Sequence, residues 1–264
     1  MTVSPEKEFV LLTKRGRSAI LIMPKDKGEN CDGQGGEGES SIPAKEDISM
    51  DYRRIDLATF PRRAHFEYFS AMADPYVGVT AEVELHGLPN LCRAANAPFF
   101  LSFLYAAARA VNAVPELRQR IVEGAPVEFE RCDTSHTVMR PDGTYGYCRV
   151  SCAASFEDYL HEAIRRHERA KVETGLDDGE DALSLIFVST LPWLYYTDLR
   201  QPTPRPADSN PRVTWGKYRV QNGAATMPVT LLAHHALVDG VHIARFYEEL
   251  NAQIERLAGE LFGR

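Results

Sequence analysis

The segment LLAHHALVDGVHIARFYEEL, residues 231–250, gathers the side chains best suited to chemistry. Two adjacent histidines close an apolar run, Asp239 follows His235 by four residues, and Gly240 and His242 come next. An imidazole titrates near neutrality, so a histidine here could take a proton from a hydroxyl group and later return it. Asp239 could cap the helix that follows, or pair with a buried arginine that holds the histidine loop in place. Gly240 allows a tight turn that a side chain would obstruct. A metal site is the competing chemistry, since His235, Asp239 and His242 stand at i, i+4 and i+7 and could share one helix face. Against it, Asp239 and Gly240 read as the start of a helix rather than its interior, and the HExxH pattern that carries such sites is absent. The expectation is no bound metal. Taken singly, each of these histidines fits a hydrogen-bonded core or surface residue better than a catalyst.

Placing such a cluster requires a buried strand before it and a helix after it. TMPVTLLAHH reads as the strand, and residues 240–260 as a helix with Val241, Ala244, Phe246, Leu250 and Ile254 apolar. Upstream, PRRAHFEYFSAM (61–72) predicts a helix with Pro61 in its first turn, and YVGVTAEVEL (76–85) alternates as a strand. Residues 97–118 are apolar on most faces and predict a buried helix ending near Pro115. PVEFER, SHTVMR and YGYCRV are short strand candidates, with a turn at PDG, 141–143. Residues 155–175 predict an amphipathic helix capped by Ser155 and ended by Gly175, and ALSLIFVSTLPW another buried strand. Strands and helices that alternate this irregularly favour an α+β fold, a mixed β-sheet flanked by helices, over a doubly wound one.

Bulk properties limit the partners. A chain of 264 residues, 44% hydrophobic and 25% charged, can bury one substantial core. Its net charge of −7 argues against a surface built to hold nucleic acid. No apolar run approaches the roughly 18 residues needed to span a bilayer. The start of the chain lacks the layout of a secretory signal, so no membrane partner and a cytoplasmic location are expected. Five cysteines without a CxxC pair fit reduced thiols rather than a disulfide framework. Residues 28–46 are rich in Gly, Ser and Glu and read as a flexible linker, preceded by a candidate hairpin around KRGRS.

The whole pattern HHALVDGVHIARF resembles the HHxxxDGxH signature of the chloramphenicol acetyltransferase family, whose trimeric members acetylate a hydroxyl of the antibiotic from acetyl-CoA. RRAHFEYF (62–69) is similar to that family's RxxHFxx[FY] stretch, and NAVPELR to its NxxPE[FL]R segment. SHTVM, FVSTLPW and TWGKY resemble three further family motifs, in the family's order. The resemblance covers about residues 50–255 and implies an acetyltransferase domain over 50–264 with the family's CoA-dependent acyltransferase fold. Residues 1–49 fall outside it, either as a disordered appendage or because translation starts at Met50.

By resemblance, His235 is the general base, Ser189 donates a hydrogen bond to the oxyanion of the tetrahedral intermediate, and Thr214 holds an ordered water. Arg62 and Asp239 match a buried ion pair that fixes the base's loop. Phe66, Phe69, Tyr196 and Leu199 fall where the acceptor pocket is expected. Acetyl-CoA is implied as co-substrate with no bound cofactor, in a homotrimer whose active sites lie between subunits. The sequence departs from the family at Leu199 and Ser209, where phenylalanine is usual, and across the proline-rich stretch 198–212. Chloramphenicol is the leading acceptor on this reading. The alternatives are another hydroxylated small molecule, a non-catalytic binding protein of the same fold, and, less directly, a metal-dependent hydrolase. Acyltransferase cores of 2-oxo acid dehydrogenase complexes share an HxxxDG motif, but the flexible segment here is too short for a lipoyl domain.

Overall fold

A computed structural model describes residues 52–173 and 182–263. The hairpin and linker expected within residues 1–49, and the terminator Gly175, lie outside the described residues. In chain order the elements are β1 (Tyr52–Arg54), α1 (Arg63–Ser70), β2 (Tyr76–Glu84), α2 (Leu88–Ala94) and α3 (Phe99–Ala113). β3 (Gln119–Val122), β4 (Ala125–Phe129), β5 (Asp133–Met139), β6 (Tyr145–Val150) and α4 (Phe156–Ala170) follow. The chain closes with β7 (Leu185–Leu191), β8 (Arg212–Gly216), β9 (Arg219–Gln221), β10 (Ala224–His234) and α5 (Gly240–Phe262).

The main sheet runs β2-β10-β8-β7-β5-β6, with β9 also paired to β10, and β1-β4-β3 form a small second sheet. Pairing in the main sheet is mixed: β7 is parallel to both β5 and β8, while β10 is antiparallel to β8 and β2. The expected mixed sheet flanked by helices is the observed architecture. Its centre is β10, whose Met227–Leu231 stretch is buried and whose last residue, His234, delivers the chain to the candidate site.

Helices cover one face of this sheet. α3 buries Leu101 through Ala108 on every side and stops where Pro115 cannot continue it, the chain passing into a short 3-10 turn over Pro115–Arg118. α4 is held to α3 by the Tyr159 hydroxyl, which donates to the Leu101 carbonyl at 2.8 Å. The Ser155 hydroxyl accepts from the Asp158 N–H as the predicted cap. Helix α1 starts at Arg63 with Arg62 as its cap residue, so Pro61 precedes the helix instead of lying in its first turn. Cys92, Cys132, Cys148 and Cys152 are buried free thiols. Among the described residues, no helix is long and apolar enough to cross a membrane.

Two histidines are sealed in this structure without charge. His136, on β5, packs against Phe100 and meets His167 of α4 through Nε2 and Nδ1 at 3.2 Å. Burial, with the nearby His167, pushes its pKa down to about 3. His234 lies edge-on to Tyr76 and accepts the Ala236 N–H on Nδ1, and burial lowers it to about 4.

Candidate active site

His235 begins the turn between β10 and α5. Its backbone N–H donates to the Pro75 carbonyl at 2.7 Å, and its ring lies flat on Phe69 of α1, centroids 3.7 Å apart and planes 14° from parallel. The Nδ1 atom stands 2.9 Å from the Val238 carbonyl oxygen. A carbonyl can only accept, so Nδ1 carries a proton, and in the neutral ring the lone pair is on Nε2. The neutral imidazole is thereby fixed in both orientation and tautomer, with Nε2 as its acceptor nitrogen.

The loop is held from outside. Arg62 and Asp239 form an ion pair, and the second guanidinium nitrogen of Arg62 reaches the His235 carbonyl at 3.4 Å. Burial opposes the charge on Asp239, but Arg62 outweighs it and keeps the carboxyl below its usual range. Asp239 is also the N-cap of α5 and forms a capping box with His242. The possible ligand trio does not assemble: among the described residues, no three His, Cys, Asp or Glu side chains converge as a metal site.

Ser189 and Thr214 lie elsewhere on the sheet, but together. They are register partners on β7 and β8, Thr214 is opposite Thr230 on β10, and Thr230 is opposite Thr80 on β2. Cross-strand partners share a face, so four hydroxyl side chains form one row across four strands. Thr80 and Thr230 hydroxyls are 2.7 Å apart, and Thr230 donates to the Tyr196 hydroxyl at 3.1 Å, which in turn donates to the Thr214 carbonyl at 2.8 Å. Gln201 covers Thr214, its amide donating to Oγ1 at 2.6 Å. Thr214 is 1% exposed, and its own hydroxyl hydrogen is left to donate. Gln201 was not singled out from the sequence, where a glutamine in a proline-rich stretch gives no pattern.

The expected acceptor-pocket residues separate into two groups. Phe69 is beside the base, whereas Phe66 turns into the core at 4% exposure and packs edge-on to Phe60. Tyr196 and Leu199 belong to the connection between β7 and β8, with Tyr196 bonded to the hydroxyl row. Ser209 does not line an open wall; it is buried, and its hydroxyl accepts the Ile121 N–H at 2.9 Å. Three residues further on, Arg212 is buried between Tyr76 and Phe187 and held in a double contact by Asp208 at 2.8 and 2.6 Å.

His235 stands five residues beyond Thr230 on β10, and β7 is two strands across. At about 3.3 Å per residue and 4.8 Å per strand, His235 and Ser189 of one chain lie roughly 20 Å apart.

A cavity of about 530 Å³ opens on the helix-covered face, behind the hydroxyl row. Thr190 and Trp215, the next register pair after Ser189 and Thr214, line it with Phe99, Phe100, Lys217 and Tyr218. Gly216 lies at its edge, where a Cβ would come within 2.5 Å of the Leu194 carbonyl oxygen, so the close approach of the strand to this connection requires glycine.

Comparison with known proteins bears on this arrangement. The family model described as chloramphenicol acetyltransferase matches residues 50–251. The chain belongs to the chloramphenicol acetyltransferase family. Chloramphenicol acetyltransferase 3 of Escherichia coli is 25% identical over 205 residues, covering 76% of this chain and 96% of that protein. A solved chloramphenicol acetyltransferase superposes with a TM-score of 0.72 at 26% identity, over 77% of this chain and 99% of the other. A probable dihydrolipoamide acetyltransferase from Listeria monocytogenes, at 14% identity and a TM-score of 0.55 over 74% of this chain and 89% of that one, shares the fold. Membership of the chloramphenicol acetyltransferase family makes the protein an acyltransferase, with acetyl-CoA the family's co-substrate.

Proposed function

We propose that the protein transfers the acetyl group of acetyl-CoA to a hydroxyl of chloramphenicol, with His235 as general base. The observation that carries this reading is the Nδ1–H bond from His235 to Val238, which in the neutral ring makes Nε2 the nitrogen that can take a proton. Nε2 takes the proton of the acceptor hydroxyl as its oxygen forms a bond to the thioester carbonyl carbon. The carbonyl oxygen becomes an oxyanion, to which the Ser189 hydroxyl donates. Such a donor acts where charge develops, and its loss typically costs about a hundredfold or more. The intermediate then collapses, the C–S bond breaks, and the imidazolium returns its proton to the departing thiolate.

Base and oxyanion donor must touch one tetrahedral carbon, yet one chain holds them roughly 20 Å apart by register. The active site therefore belongs to two copies, His235 from one and the Ser189 row from its neighbour. A ring of three identical contacts, the homotrimer implied by the resemblance, closes such an arrangement.

Acetyl-CoA fits the cavity behind the hydroxyl row. Aromatic rings of Phe99, Trp215 and Tyr218 suit a nucleotide base, and the Lys217 ammonium suits its phosphates. Lys217→Ala is expected to raise the KM for acetyl-CoA about tenfold and leave the KM for the acceptor unchanged, in steady-state assays varying each substrate.

A different hydroxylated acceptor is the second reading, favoured by the Asp208–Arg212 pair on the sheet face that carries Ser189. The deciding experiment measures thiol release from acetyl-CoA with and without chloramphenicol, beside His235→Ala. Chloramphenicol-dependent release that falls about 100-fold to 10,000-fold in the variant is expected. Release only with other hydroxylated compounds moves the assignment to the second reading. A trimer that binds acetyl-CoA and releases no thiol with any acceptor sinks catalysis and leaves a binding protein.

A further inference from the structure

The histidine of the DGVH stretch and the glutamate of NAVPELR, 126 positions apart, meet beneath the base's loop, and neither has a part in the transfer described above. His242 is 5% exposed at the third position of α5, and Glu116 sits in the 3-10 turn after α3. Nδ1 of His242 accepts the Asp239 backbone N–H at 3.1 Å, while Nε2 faces Glu116 Oε1 at 3.5 Å. Accepting on Nδ1 requires the neutral tautomer protonated on Nε2, the nitrogen nearer the glutamate. Burial lowers the His242 pKa despite both carboxylates, consistent with a neutral ring.

From the Glu116 carboxylate the contacts continue without a gap. Glu116 selects the tautomer of His242, which holds the backbone of Asp239; Asp239 pairs with Arg62, and Arg62 grips the His235 carbonyl. The other oxygen of Glu116 is buried with no partner, a cost that calls for a compensating role. We propose that Glu116 and His242 are positioning residues for the general base, setting the orientation of His235 through the N-cap of α5. The inference rests on the proposed role of His235.

Three variants test it. Glu116→Leu removes the acceptor, Glu116→Gln keeps one, and His242→Asn can still accept from Asp239 while letting go of Glu116. Expected is a fall in kcat of about tenfold or more in Glu116→Leu with KM within twofold, and recovery to within about threefold in Glu116→Gln. His242→Asn should match the loss, and the double variant with Glu116→Leu should lose no more than either alone. If Glu116→Leu does not fold, His242→Asn reads the same link. Unchanged kcat in folded Glu116→Leu or His242→Asn, beside an active wild type, overturns the proposal. So does equal loss in the Gln and Leu variants, which marks a need for charge rather than for an acceptor. Should the wild type transfer acetyl to no acceptor, the functional reading fails by itself. A crystal structure of the variant then decides: His235 displaced from Phe69 upholds the positioning role, and an unmoved ring refutes it.

Discussion

Co-expression of His235→Ala and Ser189→Ala chains is expected to restore about a quarter of wild-type activity per site, from two proteins each nearly inert alone. The expectation comes from the sheet register. His235 lies one residue past the end of β10, while Ser189 is level with Thr230 two strands across. If each site takes its base from one chain and its oxyanion donor from the next, a site with His235 from the Ser189→Ala chain and Ser189 from the His235→Ala chain is intact. Random assembly of equal amounts produces that pairing at about one contact in four, since each contact in a closed ring joins two unlike surfaces. Differently tagged chains, co-purified and assayed for thiol release, check it. Activity no higher than the mean of the two pure variants would mean that both residues act within one chain.

The second large effect is on stability in acid. His136 and His234 are buried and neutral, with pKa values pushed down to about 3 and about 4 from an ordinary 6.5. The unfolded chain binds protons at both positions below about pH 6.5, and the folded chain does not, so stability falls as pH drops. Each group contributes about 1.4 kcal/mol per pH unit, and together they cost roughly 4 kcal/mol at pH 5. At pH 5 both folded values still lie about a unit or more lower, so the loss depends mainly on the ordinary histidine value. His167 and His242, also lowered by burial, act in the same direction. Thermal unfolding between pH 7.5 and 5 should show a falling midpoint, with a shallower slope in His136→Phe. A midpoint flat across that range would mean that these rings are charged in the folded protein.

Much of the fold is legible in the sequence, and what is hidden is hidden for physical reasons. α3 and α4 announce themselves by length and period, and Ser155 by its capping chemistry. β8 was not assigned as a strand, because RVTWG is five residues long and opens on an arginine, a residue whose burial depends on Asp208, Tyr76 and Phe187 gathering around it. α2 is a seven-residue helix begun by Gly87 in a left-handed conformation, too short to show a period. In the site, the motifs single out His235, Ser189, Thr214 and the Arg62–Asp239 pair. Gln201 and the Glu116–His242 contact depend on tertiary placement that residue spacing does not encode. Phe66 and Phe69 share the inward face of α1 about one turn apart, where Phe66 is buried in the core and Phe69 stacks on His235, a difference of depth that residue spacing does not encode.

The connection between β7 and β8 is fastened to the rest of the molecule by directional polar contacts rather than by apolar packing. Tyr196 and Gln201 bond to the hydroxyl row, Asp208 to Arg212, Ser209 to Ile121, and Asn210 to the carbonyls of residues 182, 183 and 185. The residues that anchor this stretch are thus distinct from Thr197 and Leu199. Selection can therefore change those two positions one mutation at a time and leave every anchor of the connection in place, without passing through an unfolded ancestor.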